Sequence, residues 1–463
     1  MKGNFVLFFL IWFVALCCGE KKIASDSKQP TEFETTTRKN YKKFEPGKII
    51  SLVSCQGDNR FNYALYLPAS YNEKEKFPAI IFFDPHAKAT LPLEKYRQLS
   101  DRFRYILIAS CESKNGLQAG IYPDIYNALR TELSTQFKIQ SDRIYCAGFS
   151  GGARVAINVG LADESVAGVI ANSAGFEPSR SPIKKDFVFA GIAGNEDFNL
   201  LEQIRTDHSL DAFPVSHLLI EFDGKHEWAP EKSMERAFIF LEADAKSRGK
   251  IVCNESALNT YVKNEITGYK KIISETDRYQ KLKLLLPLID DIQKKKQLTD
   301  ELQTLNTTPG VLRFLKKAEE QNARESVMQN MYYRHLFTQS LNWWKSEIKQ
   351  INEQKSDKEK FQMNQRLKSY ISLVTYMTIS SPEAKQDVVI LEKLIEIYSL
   401  VDPENPEWAY QRALLRASQG NISEAELFLK TSIELGFQDK ERFFAQKEFA
   451  VLHANQGLLS MFK

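Results

Sequence analysis

Cysteine is scarce in this chain, six in 463 residues, and none falls in a C-x-x-C pair or beside histidines at zinc-ligand spacing. That excludes a zinc-finger or dithiol-redox reading, and no metal is expected. Charge of one sign is also lacking. A net charge of +3 is close to neutral for this length, and no RNA- or DNA-binding motif is present, so no nucleic-acid partner is expected. Histidine numbers only six, which leaves few choices for any general base. Glycine thins out after about Ile251, where five of the 21 occur, so strand-and-turn architecture is not expected there.

A long apolar run is missing too. Phe5 to Leu16 is unbroken but short for a membrane span, and with Met1-Lys2 before it suits a signal-peptide core. It ends at Val14-Ala15-Leu16-Cys17-Cys18-Gly19, which resembles a bacterial lipobox with Cys18 as the lipidated residue. The expectation is an exported protein of the bacterial cell envelope, with residues 1–18 a leader and membrane attachment by lipid. Plain secretion to periplasm or medium is the alternative. Residues 19–47 are polar and lysine-rich and read as a flexible tether. An exported location allows a disulfide among Cys55, Cys111 and Cys253 without selecting a pair.

From about 48 to 250, apolar strand-like runs alternate with helical stretches. Phe61–Pro68, Phe77–Pro85, Tyr105–Ser110, Arg143–Ala147, Ala167–Ser173, Phe187–Ala193 and His217–Phe222 read as strands, and Pro123–Phe137 and Glu231–Lys246 as helices. Connections this long are crossovers, so the expected class is α/β, a mostly parallel sheet covered on both faces. The strand Arg143–Ala147 runs straight into Gly148-Phe149-Ser150-Gly151-Gly152, and a small-residue helix follows. This is the strand–turn–helix context of a nucleophile elbow. Glycines two before and two after the serine let strand and helix approach without Cβ clashes. The serine then stands at a helix N-terminus, which favours negative charge developing on a bound carbonyl oxygen.

A serine nucleophile needs a base, and the base needs an orienting acid. Of the six histidines, His335 and His453 lie in the helical part, His208 between strands, and His86 in an earlier loop; His217 sits at the wrong end of its strand. His226 follows the last strand, at the carboxyl edge where such a site assembles. The acid should follow the strand before it, and Asp197 in Gly194-Asn195-Glu196-Asp197-Phe198 is the best placed. Glu196 is its competitor and Asp223 a weaker one. An oxyanion would be met by the backbone N–H of Gly151 and by one from the loop after Phe83, at His86 or Ala87.

Ser150, Asp197 and His226 in that order, with Asp84-Pro85-His86 upstream, resemble an α/β-hydrolase of the small esterase and dienelactone-hydrolase-like branch. His226-Glu227-Trp228 is similar to the His-x-Trp of some secreted polyhydroxybutyrate depolymerase, feruloyl and acetyl-xylan esterases. Asp-Pro-His-Ala departs from the His-Gly-Gly of many members. The resemblance implies a serine esterase working through an acyl-enzyme without a cofactor, on a small-molecule or polymer-linked ester. A serine peptidase, or an exported binding or scaffold protein with a degenerate hydrolase domain, is the alternative.

Residues 251–463 read as an all-α domain. Long amphipathic stretches occupy Leu258–Leu305 with a break near Pro287, then Val311–Ala323, Tyr332–Glu353 and Phe361–Met377. Pro403 to Gly436 resembles one tetratricopeptide unit, with Ala413 and Ala425 where its helices cross and Asn421 and Glu424 placed as a capping box. A protein partner for this domain is the corresponding expectation. Trp343-Trp344 is read as core packing.

Overall fold

A computed structural model of the chain describes residues 44–462 except 181, 182, 184–186, 253 and 354–356. The leader, Cys18, nearly all of the tether and Cys253 lie outside the described residues. Eight strands form one sheet: β1 (Ile49–Ser54), β2 (Asn62–Tyr66), β3 (Phe77–Phe83), β4 (Ile106–Ser110), β5 (Ile139–Phe149), β6 (Val166–Asn172), β7 (Val188–Gly194) and β8 (Ser216–Phe222). Their order is β1-β2-β4-β3-β5-β6-β7-β8, with β2 antiparallel to both neighbours and β4 through β8 parallel. This is the α/β-hydrolase arrangement. The sequence pattern did not reveal β1: only Val53 of its six residues is buried, so no period-2 signal exists.

Alternation along the central strands feeds two cores. Phe77, Ala79, Ile81 and Phe83 of β3 join one, and Ile80 and Phe82 the other. Helices α1 (Thr90–Phe103) and α5 (Glu231–Ser247) cover the Ile80 face. Helices α2 (Ile121–Gln136), α3 (Gly151–Ala162) and α4 (Leu200–Leu210) cover the other. The polar segment holding His208 is thus a helix, α4, whose Leu200, Leu201 and Leu210 are buried.

Beneath the sheet, Arg143 of β5 and Glu242 of α5 form a fully buried ion pair. Tyr105 donates its hydroxyl to Glu242 (2.5 Å) and accepts from Arg143 (2.7 Å), while Arg143 also donates to the Ile251 carbonyl (2.7 Å). That last bond ties the sheet to the start of the helical half. Cys55 and Cys111 are thiols, pushed up chiefly by burial to about 12 and about 11 respectively.

The rest is helical: α6 (Glu255–Tyr269), α7 (Glu275–Leu285), α8 (Ile292–Leu305), α9 (Pro309–Thr338), α10 (Leu341–Glu353), α11 (Lys358–Ile379), α12 (Pro382–Lys385), α13 (Val388–Val401), α14 (Pro406–Ser418) and α15 (Ile422–Glu434). Each starts after a Ser, Thr, Asp or Asn whose side chain accepts a first-turn N–H; Ser340, for example, accepts from Trp343 at 3.2 Å. A cap of this kind contributes about 1 kcal/mol, which explains how so many helices are delimited with few glycines. The capped Ser340 corrects one sequence boundary, because the helix expected at Tyr332–Glu353 breaks there and its first part continues α9.

Helix α7 and the turn Leu286–Leu288 lie against β8, covering that sheet edge. Helices α14 and α15 pack as a hairpin with Ala413 and Ala425 fully buried. The reciprocal half of the expected capping box is not made. Asn421 accepts from the Glu424 N–H (3.3 Å), but its own N–H bonds the Arg416 carbonyl (2.9 Å), and Glu424 pairs with Arg416 instead. Trp344 is fully buried and Trp343 packs edge-on to it, as core residues.

Replacing Arg143 by Met would strand a buried Glu242. The expected loss is about 3–5 kcal/mol in chemical denaturation, with most of it recovered in the Arg143→Met/Glu242→Leu double variant.

Candidate active site

Ser150 stands between β5 and α3 with φ 53° and ψ −120°, a left-handed backbone rarely adopted by a residue with a side chain. Its N–H donates to the Asn172 carbonyl at the end of β6 (2.8 Å), and its carbonyl accepts from Ala153 (3.0 Å) and Arg154 (3.2 Å). The two outer glycines permit the turn. A Cβ on Gly148 would lie 2.2 Å from the Gly152 carbonyl oxygen, and one on Gly152 would lie 2.1 Å from that of Phe83. Both obstacles are backbone and cannot swing aside.

The parallel strands β5, β7 and β8 deliver Ser150, Asp197 and His226 to one edge of the sheet. His226 Nε2 lies 2.9 Å from Ser150 Oγ, and His226 Nδ1 lies 2.9 Å from Asp197 Oδ1. A neutral imidazole with its proton on Nδ1 satisfies both contacts. Asp197 is fully buried. Its Oδ1 also accepts the Asn199 N–H (2.9 Å), and its Oδ2 has no hydrogen-bond partner among the described residues. Both ring nitrogens of His226 are taken, so neither competing acid reaches it. Asp223 pairs instead with Asn195 Nδ2 at 2.8 Å.

Of the residues that hold this site, Asn172 and Asn115 carried no legible signal in the sequence, whereas Trp228 and Asp84 lay in its motifs. Asn172 accepts the Ala229 N–H (2.6 Å) and donates to the Glu227 carbonyl (3.3 Å), pinning the loop on both sides of Trp228. Trp228 donates its indole N–H to Asp84 Oδ2 (2.8 Å), tying the histidine loop to the loop after β3. The rings of Phe198 and Phe149 lie 4.2 and 4.8 Å from that of His226. Asn115, anchored by its N–H on the Pro85 carbonyl (2.9 Å), lays its amide on Gly151, where an added Cβ would sit 1.8 Å from Oδ1.

The expected oxyanion donors are placed unequally. The His86 N–H already donates to Asp84 Oδ1 (2.8 Å) and the Ala87 N–H to the Asp84 carbonyl (3.3 Å). Asp-Pro-His-Ala folds as a turn around its own aspartate, with Ala87 at φ 58°. Gly151 is the first residue of α3, and its N–H belongs to the helix N-terminus. Among the described residues no three His, Cys, Asp or Glu side chains are grouped as a metal site. Two other histidines are engaged elsewhere: His217 Nδ1 pairs with Asp207 (2.8 Å), and His453 Nε2 meets the Phe443 carbonyl (3.1 Å).

No protein-family model matches the chain, and no curated protein matches it in sequence. Solved structures similar in part include a ferulic acid esterase, 16% identical over 41% of this chain and 94% of its own, with a TM-score of 0.34. A fluorophosphonate-binding serine hydrolase F of Staphylococcus aureus, with substrate bound, is 14% identical over 42% of this chain and 98% of its own, TM-score 0.35. An esterase of Pyrobaculum calidifontis is 11% identical over 43% and 85%, TM-score 0.35. The fold assignment rests on strand order and direction, not on these likenesses.

The strained serine gives a stability test independent of activity. Ser150→Gly should melt above Ser150→Ala, by about 1 kcal/mol, because glycine occupies the left-handed region without cost. Equal melting would contradict the strain. Gly152→Ala should cost about 3 kcal/mol in the same assay, because its Cβ would overlap backbone.

Proposed function

We propose that the chain is a serine hydrolase, and within that class a carboxylic-ester hydrolase acting through an acyl-enzyme. The hydrogen-bonded line Ser150 Oγ, His226 Nε2, His226 Nδ1, Asp197 Oδ1 carries the reading. In it Ser150 attacks the ester carbonyl as His226 takes the hydroxyl proton on Nε2. His226 then gives that proton to the departing alcohol, which leaves Ser150 acylated. Water, deprotonated by His226 in turn, releases the acid and restores the serine.

The environment of Asp197 supports this division of labour. A buried carboxylate bonded to one backbone N–H and one imidazole is short of positive charge. It is therefore best satisfied when His226 becomes cationic, which is the state formed during attack. Its contact with Nδ1 also fixes the tautomer that leaves Nε2 free to accept. For the developing oxyanion, the reading takes the Gly151 N–H at the start of α3. The His86 and Ala87 N–H groups are engaged with Asp84 and are not taken as donors. Phe149 and Phe198 are half-buried beside His226 and His86 is exposed, and the reading takes this open setting as suited to a small ester or the accessible end of a polymer-linked one.

A panel of p-nitrophenyl acyl esters tests the reading. The full chain should turn over at least one member. Ser150→Ala should abolish that turnover, and Asp197→Asn should lower kcat by about 10⁴-fold by favouring the wrong tautomer. Activity that survives Ser150→Ala unchanged overturns it.

A further inference from the structure

The helical half reaches the acid loop through a buried charge. Arg366 of α11 is 9% exposed and Glu325 of α9 is fully buried. Two of the three guanidinium nitrogens are committed to Glu325: Nε to Oε1 (2.9 Å) and Oε2 (3.0 Å), and Nη2 to Oε2 (2.6 Å). The third, Nη1, donates to the main-chain carbonyl of Asn195 at 2.5 Å. Asn195 lies two residues before Asp197, in the loop between β7 and α4.

Asn195 is itself a junction. Its N–H donates to the Phe222 carbonyl (2.8 Å), its Nδ2 to Asp223 (2.8 Å), and its Oδ1 accepts from Gly224 (3.4 Å). Next along, the Glu196 N–H donates to the Gly224 carbonyl (2.9 Å). The two loops lie so close that a Cβ on Gly194 would be 2.3 Å from the Gly224 carbonyl oxygen. The loop bearing Asp197 and the loop bearing His226 are therefore one unit, and Arg366 is bonded to its backbone. Asp197 has little else to aim it, because among the described residues its side chain hydrogen-bonds only Asn199 and His226.

We propose that Arg366, held in place by Glu325, is a positioning residue for catalysis, and that the helical half is in this respect part of the hydrolase site. The inference rests on the serine-hydrolase reading. Burying an arginine–glutamate pair carries a large desolvation cost, and an apolar pair of similar volume usually packs at least as well. What the pair supplies here is direction. Glu325 grips two edges of a planar guanidinium so that its remaining corner meets one carbonyl. Withdrawing that donor leaves the Asn195 carbonyl unpaired and lets the joined loops shift. A misplacement near 1 Å at the Asp197–His226 pair lowers turnover by about 100-fold. Substrate contacts are elsewhere, so KM should hold.

The test uses the full-length chain. Arg366→Met removes the donor, and combining it with Glu325→Gln avoids leaving a buried unpaired carboxylate. Arg366→Lys keeps the charge facing Glu325 but loses the planar fork. The folded double variant should lose about 100-fold in kcat with KM within about threefold of wild type. Arg366→Lys should fall between the two. Wild-type kcat in the folded double variant, or a raised KM at unchanged kcat, overturns the proposal. If the double variant does not fold, Arg366→Lys decides alone: a kcat loss of about tenfold or more at constant KM supports positioning, and a smaller loss contradicts it. Failure of the underlying reading looks different, since wild-type turnover would then not depend on Ser150.

Discussion

The architecture turns on how closely α3 approaches the sheet behind Ser150. Gly152 sits where any side chain would strike the Phe83 carbonyl, and Gly148 where one would strike Gly152. That closeness forces the intervening serine into a left-handed backbone and projects its hydroxyl beyond the sheet edge. The cost of such a residue, about 1–3 kcal/mol, is met by the cores on both faces. It is held by the Ser150 N–H bond to Asn172, whose side chain in turn fastens the loop carrying His226. One tight crossing thus fixes the serine and, through a neighbouring strand end, the histidine.

The acid is placed on a different principle. Asp197 is buried with one oxygen unpartnered among the described residues, so its energetics depend on the imidazole and on the stiffness of its loop. That loop is laced to the histidine loop by backbone bonds and held from outside by Arg366. The chain's two halves therefore meet at a point that matters for geometry. They also meet at Arg143, below the sheet, where a buried ion pair secures the connection at Ile251. The upper junction bears on where Asp197 points and the lower one on stability.

How much of this was legible in the sequence follows from the range of each interaction. The elbow was readable because all its constraints lie within five residues. The meeting of Ser150, Asp197 and His226 was readable because parallel strands end at the same edge. Strand β1 was hidden because an exposed edge strand needs no alternation, and α4 because its few buried leucines are spaced among polar residues. Asn115 and Asn172 look like ordinary loop and strand-end residues until the fold brings them to Gly151 and Trp228. Arg366 was beyond reach. A charged residue in an amphipathic helix reads as solvated, and the carbonyl it meets is 171 positions away.

In the proposed reaction Ser150 is a nucleophile activated by the His226–Asp197 pair. The most direct measurement is to treat the full chain with a fluorophosphonate and map the modified peptide by mass spectrometry. One phosphonyl group on Ser150 is expected, and none when His226 is replaced by Ala over the same interval. An unmodified chain, or a label carried on any other residue, would contradict it.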